Sequence, residues 1–131
     1  MKSILLVGLF SIVALQAQAG TYSVQSANCT MQKSPDDFNQ VDTFQLNQDS
    51  ATEFSAKLPG GITATLQSTD SGFNVYYHTL TLKYGDLEIT NTAQTAKHPT
   101  TDQQREAVYP TVEGSLAGKR FSCLAVVNPA Q

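Results

Sequence analysis

From Tyr22 onward, apolar and polar side chains alternate with a period of two, and clusters of Gly, Pro, Asn and Asp interrupt the pattern at short intervals. Helical spacing is almost absent. Alternation of this kind places successive side chains on opposite faces of a pleated strand, and frequent turn signals predict an all-β antiparallel sandwich or small barrel. Thr, Val, Ile, Tyr and Phe dominate the candidate strands, as a half-buried pleated surface favours. We count about eight strands, a normal number for a small sheet protein.

The clearest unit spans residues 73–92, where Gly85-Asp86 separates two alternating runs and predicts a two-residue hairpin turn. That turn sets Tyr84 opposite Leu87, Leu82 opposite Ile89 and Leu80 opposite Asn91, with Lys83–Glu88 and Thr81–Thr90 on the other face. A slip of one residue would expose the leucines. Within 73–84 the apolar side changes, from Phe73, Val75 and Tyr77 to His78, Leu80 and Leu82, which predicts a bulge or a strand shared between layers. A second hairpin is expected around Pro59-Gly60-Gly61, between Phe54, Ala56, Leu58 and Ile62, Ala64, Leu66.

Elsewhere, Tyr22, Val24 and Ser26 mark a first strand, 33–37 a loop, 41–46 a second strand, and 69–72 a polar link. Val108, Val112 and Leu116 precede a turn at Gly118-Lys119. The last run, 120–128, is apolar on both faces, with Phe121, Cys123, Ala125 and Val127 on one and Leu124 and Val126 on the other, so it is expected to be covered on both sides. Residues 93–106 are polar and lack a strand pattern. We expect a solvated, mobile loop there with a turn of helix capped by Thr101 or Asp102; the alternative is a binding loop displayed by the scaffold.

The N-terminus departs from alternation. Lys2, an apolar run at 4–15 and Ala17-Gln18-Ala19 read as a secretory signal peptide, residues 1–19, cleaved after Ala19. The run is shorter than the roughly 18 residues a membrane-crossing helix needs, so we expect no membrane span. The remaining residues, 20–131, are expected to form one β domain, large enough to bury about two-thirds of the unfolded chain's surface. Export places the protein in a secreted or periplasmic setting. There Cys29 and Cys123, the two cysteines of the chain, are expected to pair across 94 residues.

Loss of Lys2 leaves seven basic and eleven acidic residues, a net charge of −4 without runs, so nucleic acid and anionic membrane are not expected partners. No Gly-x-Ser-x-Gly elbow surrounds any serine, and Gly60-Gly61 lacks the Lys and helix of a phosphate loop. Asp36-Asp37 and Asp70-Ser71-Gly72 read as turns, and too few oxygens gather for calcium. His78 reads as a strand histidine at the edge of the core, and His98 as a solvated loop residue. We therefore expect no catalytic residues, metal or cofactor.

The tyrosines are the most suggestive feature, because aromatics bury large area at small entropic cost when they bind sugars, peptides or proteins. Tyr76 and Tyr77, with Lys97, His98 and Arg105 of the polar segment, are the expected binding residues. The expected function is an exported non-enzymatic binding module for a protein, peptide or glycan. The alternatives are an inhibitor of a secreted hydrolase and a structural or assembly protein of the cell envelope.

Overall fold

The computed structural model describes residues 21–116 and 118–131, so the expected leader and its cleavage point lie outside the described residues. Nine strands are present among these: β1 Ser23–Ser34, β2 Asp37–Gln45, β3 Asn47–Ser50, β4 Glu53–Leu58, β5 Ile62–Asp70, β6 Val75–Tyr84, β7 Leu87–Ala96, β8 Thr111–Leu116 and β9 Lys119–Asn128. They form two antiparallel sheets, one of four strands in the order β2-β1-β9-β8 and one of five in the order β3-β4-β5-β6-β7. This is the all-β, sandwich-like architecture that the alternation implies. The strand beyond the expected eight is β3, which follows β2 after a single residue. That residue, Leu46, is buried and its N–H donates to the Ala27 carbonyl at 2.9 Å, so the chain passes there from one sheet to the other.

Turn chemistry decided the registers. Gly85 adopts φ +57°, the left-handed conformation that an L side chain resists, and β6 pairs with β7 in the expected register from Tyr84↔Leu87 to Leu80↔Asn91. β4 and β5 pair from Leu58↔Ile62 outward around Pro59-Gly60-Gly61. The expected loop at 33–37 is shorter than its polar sequence suggested. Ser34 pairs with Asp37, and only Pro35-Asp36 turn between β1 and β2.

The inner faces meet in a continuous core: Leu58, Ile62, Ala64, Leu66, Leu80 and Leu82 from the larger sheet against Ala27, Cys29, Met31, Val112, Phe121 and Val127 from the smaller. Cys29 and Cys123 are bonded as expected, and both are fully buried. They are direct register partners on β1 and β9, with Cα atoms 4.0 Å apart, so the bridge staples two neighbours of one sheet. It also closes a 94-residue separation.

Three expectations are corrected. Among the described residues β9 is covered on one face only: Phe121, Cys123, Ala125 and Val127 are buried, whereas Leu124 is 43% exposed, because none of these residues forms a further layer outside the four-stranded sheet. β6 carries no bulge, and both of its ladders run without a register shift. Its apparent change of side arises because Phe73, 82% exposed, precedes the strand, while Val75 and Tyr77 take the outer face and His78, Leu80 and Leu82 the inner. Finally, residues 93–96 are strand, completing β7. Polar residues there suit an edge strand with a solvated face, and the inward Thr95 is satisfied by a hydrogen bond to His78, so polarity did not mark a loop.

Candidate functional site

The five residues expected to bind do not converge. Tyr76 and Tyr77, adjacent on β6, face opposite sides of the sheet. Tyr77 stands on the outer face, 38% exposed, between Thr69 and Gln94 of the neighbouring strands. Tyr76 lies at one end of the sandwich, its ring 5.0 Å from that of Tyr22 in an edge arrangement. Lys97 is held over the Tyr76 ring, with Nζ 5.2 Å from its centroid, and also pairs with the Asp70 carboxylate. That ammonium, together with the Gly72 N–H donating at 2.8 Å, holds the Asp70 carboxyl below the usual carboxylate range. Lys97 is thus a brace between β5, β6 and the end of β7.

The remaining two belong to the segment after β7. His98 is exposed. Arg105 lies in a 3-10 turn, Gln103–Arg105, and forms an ion pair with Asp102 at 3.6 Å. Of the two expected caps, Thr101 serves, accepting from the Gln104 N–H at 3.1 Å, and the Asp102 side chain makes no cap bond.

His78 is more deeply placed than a core-edge residue. It is wholly buried, with Nδ1 2.8 Å from the Ser68 hydroxyl, Nε2 2.7 Å from the Thr95 hydroxyl and the Tyr22 ring 4.7 Å away. A neutral imidazole donates through one nitrogen and accepts through the other, so two flanking hydroxyls satisfy it completely. Burial pushes its pKa down to about 4, and at neutral pH it is an uncharged polar link across β5, β6 and β7.

The chain matches no protein-family model, no curated protein and no solved structure. Any functional reading therefore rests on the residues themselves.

One recess lies where the sequence drew no attention, on the outer face of the four-stranded sheet, with a volume of about 610 Å³. This falls within the roughly 300–1,000 Å³ typical of ligand pockets. Its floor is β1 and β9, contributing Thr30, Gln32, Ser122 and Arg120, and its sides are Val41 of β2 and Glu113 and Ser115 of β8. Register explains the gathering: Val41 pairs with Gln32, Thr30 with Ser122, Ser122 with Glu113, and Arg120 with Ser115. An apolar recess around Leu82, Leu87 and Phe121 encloses only about 20 Å³, room for about one water.

Gln32 lines the groove but keeps its side-chain nitrogen out of solvent. By strand alternation it belongs to the outer face, yet it is only 4% exposed. Its Oε1 accepts the Arg120 backbone N–H at 2.8 Å, which fixes the carboxamide, because turning it over would set two donors against each other. Nε2 is then sealed from solvent without an acceptor, the sole such side-chain atom among the described residues. A buried donor left unmade costs about 1–3 kcal/mol, and an unpaired one in a native fold calls for a partner. Nothing in the sequence singles out Gln32. Its burial goes with the approach of β9, whose Arg120 N–H lies 88 residues away in the chain, and that contact is nonlocal.

Proposed function

We propose that the protein is an exported, non-enzymatic binding module, secreted or periplasmic, that holds a polar ligand from a protein, peptide or glycan in the groove over β1 and β9. The observation that carries this reading is a recess of ligand size on the outer face, about 610 Å³, whose lining mixes the hydroxyls of Thr30, Ser115 and Ser122 with the Glu113 carboxylate. Rigidity supports it. The Cys29–Cys123 bridge lies on the reverse side of the groove floor, one residue from the Thr30↔Ser122 pair, so the floor is set before any ligand arrives. Pre-organisation of this kind lowers the entropic cost of binding. The disulfide is also what an oxidising compartment produces. His78, whose ring nitrogens are both engaged inside the core, is badly placed to serve a substrate as a base.

The test is titration of the isotope-labelled, disulfide-bonded protein with panels of peptides and oligosaccharides, followed residue by residue by NMR. Shifts centred on Thr30, Gln32, Glu113 and Ser122 are expected. Binding centred elsewhere, or turnover of any added substrate, would overturn the proposal. A hydrolase-inhibitor reading draws on the internal bracing of the segment after β7, where Gln104 Oε1 accepts from the Thr100 N–H at 2.8 Å. Residual activity of secreted hydrolases at micromolar protein tests that alternative, and uninhibited enzymes throughout would dismiss it.

A further inference from the structure

We infer that the outer edge of β7 pairs, antiparallel and about a two-fold axis, with the same edge of a second copy of this chain. β7 ends the five-stranded sheet and pairs on one side only, with β6. The Lys97 N–H, next along the chain, donates to the Asn74 carbonyl at 2.8 Å, and the Tyr84↔Leu87 pair flanks the two-residue turn, so the odd-numbered residues of β7 direct their backbone groups towards β6. Glu88, Thr90, Thr92 and Gln94 therefore aim theirs outward. Among the described residues no backbone partner meets them.

A row of unpaired donors and acceptors is a template for another strand, and folds guard against this with short edges, charges, proline or bulges. The other three edges carry such guards. β3 has four residues and a register irregularity after Gln48, β2 carries Asp37 and Asp42, and β8 has six residues with Glu113 and Gly114 at its middle. β7 is ten residues long and pairs with β6 without irregularity. Its one charge, Glu88, is the register partner of Lys83, and residues 89–96 hold no charge, proline or glycine. Asn91 accepts the Thr111 N–H at 2.9 Å, which ties the strand to the other sheet and holds its edge in place.

A second copy fits this edge because the strand is compatible with itself. Pairing centred on Thr90 sets Thr90 against its own copy, Glu88 against Thr92 and Leu87 against Ala93, and forms about six backbone hydrogen bonds. The row Thr65-Thr81-Thr90, aligned by register, then runs on through the axis, and threonine pairs are favourable across strands. Leu87, 55% exposed, gains an apolar neighbour. The two Glu88 carboxylates stay about 14 Å apart, beyond the screening length of physiological salt. The groove lies on the other sheet and is left open by this pairing.

The disulfide-bonded protein is followed by sedimentation from micromolar to millimolar concentration, with amide hydrogen exchange read by NMR. Monomer is expected to give way to dimer, and the amides of Glu88, Thr90 and Thr92 to gain protection as it does. Thr90→Pro removes an outward N–H that the monomer does not use, so the fold is kept and dimerisation should weaken about tenfold or more, one bond being lost in each copy. Thr90→Lys, an exposed substitution that sets like charges face to face at the axis, should act in the same direction and serves if the proline variant fails to fold.

A monomer at every concentration would overturn the inference, as would a dimer undiminished by Thr90→Lys or one whose newly protected amides lie on another strand. Protection of the β7 amides only on adding an alternating Thr-Val octapeptide, with the protein still monomeric, would make the edge a docking strand for a different chain and equally overturn self-pairing.

Discussion

Acidification should destabilise this fold through one side chain. His78 titrates near 6.5 in an unfolded chain and at about 4 in the folded protein, because burial disfavours the imidazolium. Above pH 6.5 neither state holds the proton, and stability is unaffected. Between the two values the unfolded chain binds a proton that the folded one refuses, so stability falls as pH drops from about 6.5 and levels off below about 4. The full gap of about 2.5 pH units corresponds to about 3 kcal/mol, of which about 2.5 kcal/mol is lost by pH 4.5. Asp70, also shifted downward, acts in the same direction but only in the more acid carboxylate range. The measurement is urea unfolding from pH 7.5 to 4.5 on wild type and His78→Gln, whose carboxamide can still meet the Ser68 and Thr95 hydroxyls. Wild type should lose about 2.5 kcal/mol more than the variant over that range. Parallel pH profiles, or an NMR titration of the His78 ring with a midpoint above 6, would refute the reasoning.

Removing the bridge by Cys29→Ala with Cys123→Ala should cost about 4–5 kcal/mol by loop-closure entropy over 94 residues, measured by denaturant unfolding of the oxidised wild type and the double variant. Leu66→Ala, at a fully buried position, should cost about 2–5 kcal/mol in the same assay, whereas Leu124→Ser, on the uncovered face of β9, should change stability by less than about 0.5 kcal/mol. Gly114→Ala should destabilise by about 1–3 kcal/mol, because the new Cβ would lie 2.5 Å from the buried ring of Phe121; an unchanged melting temperature would show that the ring yields freely.

The Gly85 hairpin was legible to the last register pair because its information is local: a residue that tolerates positive φ, flanked by runs whose alternation permits only one alignment. The disulfide was equally legible, since two cysteines admit one pairing. Polarity misled where it depended on neighbours. Residues 93–96 read as loop because Thr95 finds its partner 17 residues away in His78, and β9 read as doubly covered because its sequence carries no sign that none of the described residues layers over its outer face.

The sequence by itself therefore determined the pleated class, the turns, the principal core positions and the sulfur bridge, all set by period and nearest neighbours. Only the tertiary structure decided that the chain crosses between sheets at Leu46, that His78 is wholly buried between the Ser68 and Thr95 hydroxyls, and that Gln32 is buried on an otherwise solvated face. These depend on which strands lie side by side. In the four-stranded sheet β1 and β9, from opposite ends of the described chain, become neighbours, and no local pattern encodes that pairing.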